Sequence, residues 1–207
     1  MSKPEELSYY ESAANSGDLS AALNLGAIYY NGVEIGRNYQ KAVELYQQAA
    51  KSDDPEVASV AINNLGYCYY YGHGVEIDYG KAFELFTRGA ILYRCPNCLY
   101  KLADMYRYGY FVSQDEGIAY RLLKEAELFS CLYEKVFYAD IAKRIAEFLA
   151  GGIGGITRNL PKAYEYITKA EQILLQEMND DPTKEETLGE ITELKERIKT
   201  AMKVKPI

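Results

Sequence analysis

The chain has no tryptophan and a single histidine, His73, among its 207 residues. No serine or cysteine stands at a spacing from that histidine that suggests a nucleophile with its base, so a hydrolytic triad is unsupported. Cysteine is sparse, four in all, and its placing does not recur once per sequence unit as a stapling disulfide framework would. Reduced thiols are therefore expected. A basic excess is missing as well, since 23 Lys plus Arg face 30 Asp plus Glu, a net charge of −7. That balance argues against nucleic acid and anionic membrane surfaces as partners and favours basic or neutral ones. Apolar runs are far shorter than a bilayer span, and the first thirty residues lack the pattern of a secretory leader. We expect a soluble, cytoplasmic chain. Gly151-Gly152-Ile153-Gly154-Gly155 has no strand before it and no Lys-Ser/Thr after it, so it is a slack turn and not a phosphate loop.

What is abundant is tyrosine, 21 residues, and repetition. Ala21 to Ala50 reads AALNLGAIYYNGVEIGRNYQKAVELYQQAA, and Ala61 to Ala90 reads AINNLGYCYYYGHGVEIDYGKAFELFTRGA. A third copy, in which Leu102, Tyr106, Gly109, Val112, Asp115 and Ala119 replace Leu65, Tyr69, Gly72, Val75, Asp78 and Ala82, runs from Tyr100 to Glu127. A fainter fourth keeps Ile145, Ala146, Gly152, Ile156, Asn159 and Ala163. The landmark alanine recurs at 42, 82, 119 and 163, with gaps of 40, 37 and 44. Periods of this size signal a helical solenoid, in which each unit buries its apolar face only against its neighbours.

Each unit reads as two helices. In helix A, Leu65, Gly66 and Tyr69 share one face, and the glycines of Gly72-His73-Gly74 end the helix and turn the chain. Asp78 then caps helix B, whose stripe is Tyr79, Ala82, Phe83, Leu85 and Phe86. Asp54-Pro55-Glu56 reads as the start of the second unit, and Ser113 with Glu116 as a capping box in the third. Small residues such as Ala49-Ala50 let neighbouring helices approach closely. Tyr10 to Ala14 echoes Tyr46 to Ala50, so an unpaired B-type helix over residues 4–18 is expected to cover the open end. Asn179-Asp180-Asp181-Pro182 breaks the pattern before a charged helix with Leu188, Ile191, Leu194, Ile198 and Met202 on one stripe. That stripe is too short for a sustained coiled coil, so the helix is read as a terminal cap.

The pattern Leu-Gly-x-x-Tyr-x-x-Gly-x-Gly-Val-x-x-Asp-Tyr-x-Lys-Ala, Leu65 to Ala82, resembles the signature of the Sel-one-like repeats, a branch of the tetratricopeptide-type hairpins. The resemblance covers about residues 21 to 176, with Leu149 in place of the tyrosine and Ala146-Glu147 in place of Leu-Gly in the fourth unit. It implies an all-α, right-handed superhelix of about four antiparallel helix pairs with capping helices at both ends. It also implies a non-catalytic adaptor that assembles other proteins, without cofactor or metal. The expected partition is one repeat domain over 1–207, with repeats at 19–54, 55–92, 93–130 and a divergent 131–178, and a terminal helix at 181–204. A monomer is favoured over a homo-oligomer.

Rotation of about 100° per residue turns Asn63, Tyr67 and Tyr70 away from the packing positions of helix A, with Tyr71 flanking them. Tyr100, Asp104, Arg107 and Tyr108 are their counterparts in the third unit, and Lys143, Glu147 and Ala150 in the fourth. These residues are expected to line a groove for a protein or peptide, with Arg107 and Lys143 receiving carboxylates. The bland alternative is that the tyrosines pack between neighbouring A helices. A competing function class centres on Cys95-Pro96-Asn97-Cys98, because C-x-x-C occurs in zinc sites and in redox pairs. Zinc needs two more ligands, and His73 lies at the other end of the hairpin, about 15–20 Å away. Structural thiols are the plainer reading of that pair.

Overall fold

The computed structural model describes residues 3–32, 36–133, 138–177 and 184–203. These form ten α-helices and no strand: α1 (Lys3–Asn15), α2 (Leu19–Asn31), α3 (Tyr39–Ala49), α4 (Pro55–Tyr71), α5 (Tyr79–Tyr93), α6 (Pro96–Tyr108), α7 (Glu116–Tyr133), α8 (Tyr138–Gly151), α9 (Leu160–Glu177) and α10 (Glu185–Lys203). The A helices are α2, α4, α6 and α8, and each is followed by its B helix. The break assigned to Asn179 to Pro182 lies outside the described residues. The chain divides into two compact units, Met1–Cys98 and Leu99–Ile207.

One local device closes every hairpin. Gly32, Gly72, Gly109 and Gly152 take φ of 67°, 74°, 71° and 68°, a left-handed conformation that costs an L side chain energy and glycine little. Six or seven residues later a short polar residue caps helix B. Asn38, Asp78, Asp115 and Asn159 accept from the amides of Lys41, Lys81, Ile118 and Lys162 at 2.8–3.0 Å. The same four residues donate their own amides to the carbonyls of Tyr29, Tyr69, Tyr106 and Leu149 on helix A, at 2.8–2.9 Å. The cap of α7 is thus Asp115, which corrects the capping box expected at Ser113 and Glu116. A carboxylate immediately before the helix bonds the N3 amide directly, which leaves Ser113 no capping part. Asp54 caps α4, with Pro55 in its first turn, as its sequence reads.

The hairpins stack through small residues. Ala22, Ala49, Ala50, Ala61 and Ile62 form one buried cluster that joins α2, α3 and α4. Between the two helices of a hairpin, a Cβ on Gly26 would lie 2.7 Å from Cε1 of Tyr46, and one on Gly66 2.5 Å from Cε1 of Phe86. Rings here need glycine opposite. The same register holds Ala103 with Leu123 in the third repeat and Ala146 with Ile167 in the fourth, all fully or almost fully buried. There the B side chain is smaller, and the A residue has grown by a methyl group. This register sets Ile145-Ala146, and not Ala146-Glu147, at the Leu-Gly pair, which corrects the sequence reading, and the departure at Ala146 is a compensated exchange of volume.

Each end of the array carries a half repeat. Helix α1 packs on α2, and Tyr29 bonds Glu11 across that contact at 3.3 Å. Helix α10 packs on α9 and touches α8, as α4 packs on α3 and touches α2. It thus stands where the next A helix would stand, burying Ile191 and Ile198 and leaving Met202 exposed.

Candidate functional site

In the first unit the residues chosen from the sequence divide by depth. Asn63 and Tyr70 are only 8% and 9% exposed, which corrects their assignment to an open groove. Helix α4 packs on its own B helix, α5, and also touches α2. Asn63 accepts from the Cys98 thiol at 3.7 Å. Tyr70 lies edge-on to Tyr79 and Phe86, with centroids 5.4 and 6.3 Å away. Tyr67 is half-buried against Phe86 and stacks on Tyr71, and Tyr71 is exposed.

His73 belongs to this aromatic set. Its ring stacks on Tyr39 at 4.5 Å and 6°, meets Tyr71 at 5.7 Å, and bonds the Tyr30 hydroxyl through Nδ1 at 2.8 Å. Burial first, then Cys68 and the neighbouring phenols, pushes Tyr30 up to about 12. That hydroxyl therefore keeps its proton, and its bond to Nδ1 takes the direction that the imidazole tautomer sets. Burial, helped by the Arg37 guanidinium, holds His73 below its ordinary value of 6.5. The neutral ring is favoured in the fold, so on acidification the unfolded chain takes up this proton first. Stability contributed by His73 is present above about pH 6.5 and drains away as pH falls from there through the depressed folded value. The wild type is expected to lose melting temperature between about pH 7.5 and about pH 5 by more than His73→Asn, which keeps an acceptor near Nδ1 but does not titrate. Parallel pH profiles of the two proteins by circular dichroism would refute this.

The second unit holds an open cleft of about 1050 Å³, walled by α6, α8, the turn after α8, and α10. Arg107, Tyr108 and Lys143 line it. Asp104 does not, being 4% exposed, and this corrects its assignment to the groove. Its carboxylate is held beneath the wall by Arg144 at 3.1 Å and Lys101 at 3.5 Å. Tyr100 is half-buried, and its hydroxyl accepts from Arg144 at 3.3 Å.

Arg144, one residue past Lys143 and not singled out in the sequence, is the hub of this wall. It reaches Asp104, Glu147 at 3.2 Å, and the hydroxyls of Tyr100 and Tyr108 at 3.3 Å each. Burial opposes its charge, but Tyr100, Asp104 and Glu147 outweigh that and raise its affinity for the proton. Burial likewise opposes the Glu147 carboxylate, yet Arg144 and Arg107 hold it below the usual carboxylate range. Arg107 bonds Glu147 and lies over the Phe148 ring at 5.1 Å, and Lys143 pairs with Glu190 of α10. Both cations expected to await a partner's carboxylate thus already hold one from this chain. The i, i+3 spacing of Arg144 and Glu147 on one helix face was the available signal for the hub. The wall contributed by α10 had none, because that helix reads as a cap.

Cys95 and Cys98 adjoin across the first turn of α6, with the Cys98 amide donating to Cys95 Sγ at 3.4 Å. Among the described residues, no group of three or more His, Cys, Asp and Glu side chains is placed to hold a metal ion. Nor is any described helix long and apolar enough to cross a membrane.

A family model described as Sel1 repeat matches residues 7–18, 19–54, 59–92, 96–127 and 142–172. No curated protein matches the chain. Among solved structures, it is similar to a protective antigen present in uropathogenic Escherichia coli strains that displays an SLR fold. The TM-score is 0.65 at 23% identity, covering 81% of this chain and 33% of the antigen. It is also similar to a Sel1 repeat protein from Oxalobacter formigenes, with TM-score 0.64 at 22% identity, covering 80% of this chain and 63% of the other. The chain spans about a third and just under two thirds of these two proteins, and the likeness concerns the fold.

Proposed function

Because this chain belongs to the Sel1 repeat family, whose members generally mediate protein–protein interactions, we propose that it is a non-catalytic adaptor that holds an extended segment of another protein in the cleft of its second unit. The cleft carries the reading: about 1050 Å³ between helix walls, open to solvent and faced by five basic and four acidic side chains. Such walls suit a polar chain in extended form, whose backbone and mixed charges find bonds at many points. Tyr108, 47% exposed at the rim, offers a rigid ring and a hydroxyl at small entropic cost. Arg107 and Arg144 are held by Glu147 and Asp104, so they are oriented before a partner arrives. Lys143 and Glu190 pair across the cleft from α8 to α10, and an incoming carboxylate or ammonium competes for one of them.

A photo-crosslinking residue placed in turn at Tyr108, Arg197 and Ile91 in the native host tests this. Tyr108 and Arg197 line the cleft, and Ile91 is exposed on α5 in the other unit. The same protein is expected to be captured from the first two positions and not from the third. With that protein purified, Tyr108→Ala and Arg197→Ala are each expected to weaken binding by roughly tenfold, about 1.4 kcal/mol, with helical circular dichroism unchanged. Capture only from Ile91, or affinities unmoved by both substitutions, refutes the cleft as the binding site.

A further inference from the structure

The dithiol at the start of α6 takes no part in the cleft, and its surroundings differ from those of the other two cysteines. Cys68 is fully buried on α4, where burial pushes its thiol up to about 12, and Cys131 is exposed on α7. Cys95 precedes Pro96, the first residue of α6, so its sulfur occupies the place of an N-cap oxygen and accepts the Cys98 amide at 3.4 Å. One turn on, the Cys98 sulfur sits in a notch, since a Cβ on Gly89 would come within 2.3 Å of it. Asn63 closes the notch by accepting from the Cys98 thiol at 3.7 Å. Cys98 is wholly buried, whereas 8% of Cys95 reaches solvent.

We propose that Cys95 and Cys98 are a reversible dithiol–disulfide couple, in which Cys95 meets an incoming low-molecular-weight disulfide and Cys98 resolves the adduct. The order of events follows from depth: Cys95, with 8% of the residue in contact with solvent, lies nearer water than Cys98, which is fully enclosed. The adjacent Cys98 side chain and its amide hold Cys95 below the ordinary thiol range against the cost of burial, and the same neighbour, with burial, raises Cys98. Cys95 as thiolate attacks one sulfur of the disulfide, forming a mixed disulfide and expelling a thiolate that takes up the proton Cys95 gave up. Cys98 then loses its proton and attacks Cys95 Sγ, forming the intramolecular bond and expelling the second thiolate. Two protein thiols are oxidised and one disulfide is reduced to two thiols. Closing the bond draws the Cys98 sulfur off Asn63 and out of the Gly89 notch, and an excess of small thiol reverses it.

The test uses the full chain carrying Cys131→Ser, which removes the exposed thiol, with glutathione disulfide as probe. After acid quenching and alkylation, intact mass is expected to show loss of two hydrogens and two fewer alkylated thiols, reversed by reduced glutathione. Cys98→Ser in this background is expected to accumulate a glutathione adduct at Cys95, and Cys95→Ser to stay unmodified over the same time. The adduct rate in Cys98→Ser should switch on at a pH below that of free glutathione. Two results overturn the proposal: Cys98→Ser that gains no adduct while folded, or a parent protein that stops at the mixed disulfide. Should either variant fail to fold, timed alkylation of the parent with peptide mapping decides, because Cys95 must be labelled well before Cys98 and Cys68.

Discussion

Gly66→Ala is expected to destabilise the protein by about 1–2 kcal/mol, although the same change in an open helix stabilises by about 0.5–1 kcal/mol. The added Cβ would stand 2.5 Å from Cε1 of Phe86, a ring that is completely buried. Overpacking of a core by one methyl group costs about 1–3 kcal/mol, which outweighs the gain in helix propensity. Gly189→Ala on α10 is the matching control, since nothing lies within 4 Å of the new Cβ, and it is expected to raise stability. The third repeat supplies the remedy. Ala103 and Leu123 occupy the places of Gly66 and Phe86, so Gly66→Ala with Phe86→Leu is expected to recover a large part of the loss. A double-mutant cycle by chemical denaturation should show coupling of about 1 kcal/mol or more. Additive effects within error would show that the ring does not dictate the glycine.

Arg144→Ala is expected to cost about 2–4 kcal/mol, near the lower end for breaking a buried ion pair because this side chain keeps 19% of its surface in water. The loss strands two carboxylates of unequal depth. Glu147 retains Arg107, but Asp104, almost fully buried, is left with Lys101 alone at 3.5 Å. Tyr100 and Tyr108 each lose a donor in the same change. Arg144→Lys should rescue little, because one ammonium cannot reach two carboxylates and two hydroxyls that a planar guanidinium spans. For a chain of this size the loss corresponds to roughly 5–15 °C in melting temperature, read by circular dichroism. A fall under a degree would show that the network is a surface feature without weight.

The two substitutions probe different kinds of information in the chain. Glycine opposite a ring, and alanine opposite leucine or isoleucine, is visible once the repeats are aligned at 66, 103 and 146. The Arg144 network is not visible that way, since its contacts run between repeats of unlike composition. Asp104 and Arg144 are 40 residues apart, and no other repeat has the same pair at these positions. The groove reading placed Asn63, Tyr70 and Asp104 in the open, whereas Tyr70 turns onto its own helix B, Asn63 meets Cys98, and Asp104 lies against Arg144 and Lys101. Tyr108, Arg107 and Lys143 reach the cleft because they sit at its edge, where the flanking helices leave a gap.

Helix boundaries, turns and the repeat itself were legible in the linear chain because their causes are local. An amide bonds a side chain three residues away, a left-handed φ selects glycine at one position, and an apolar stripe recurs every three or four residues. Which flank of each A helix is covered, and which cations are already satisfied, was settled only by packing. Those outcomes depend on the size and charge of side chains some forty residues distant, brought alongside by stacking, and a periodic pattern carries no record of them. Helix α10 shows this most plainly: from its composition it is a polar-backed end piece, and by its place in the array it is one wall of the cleft.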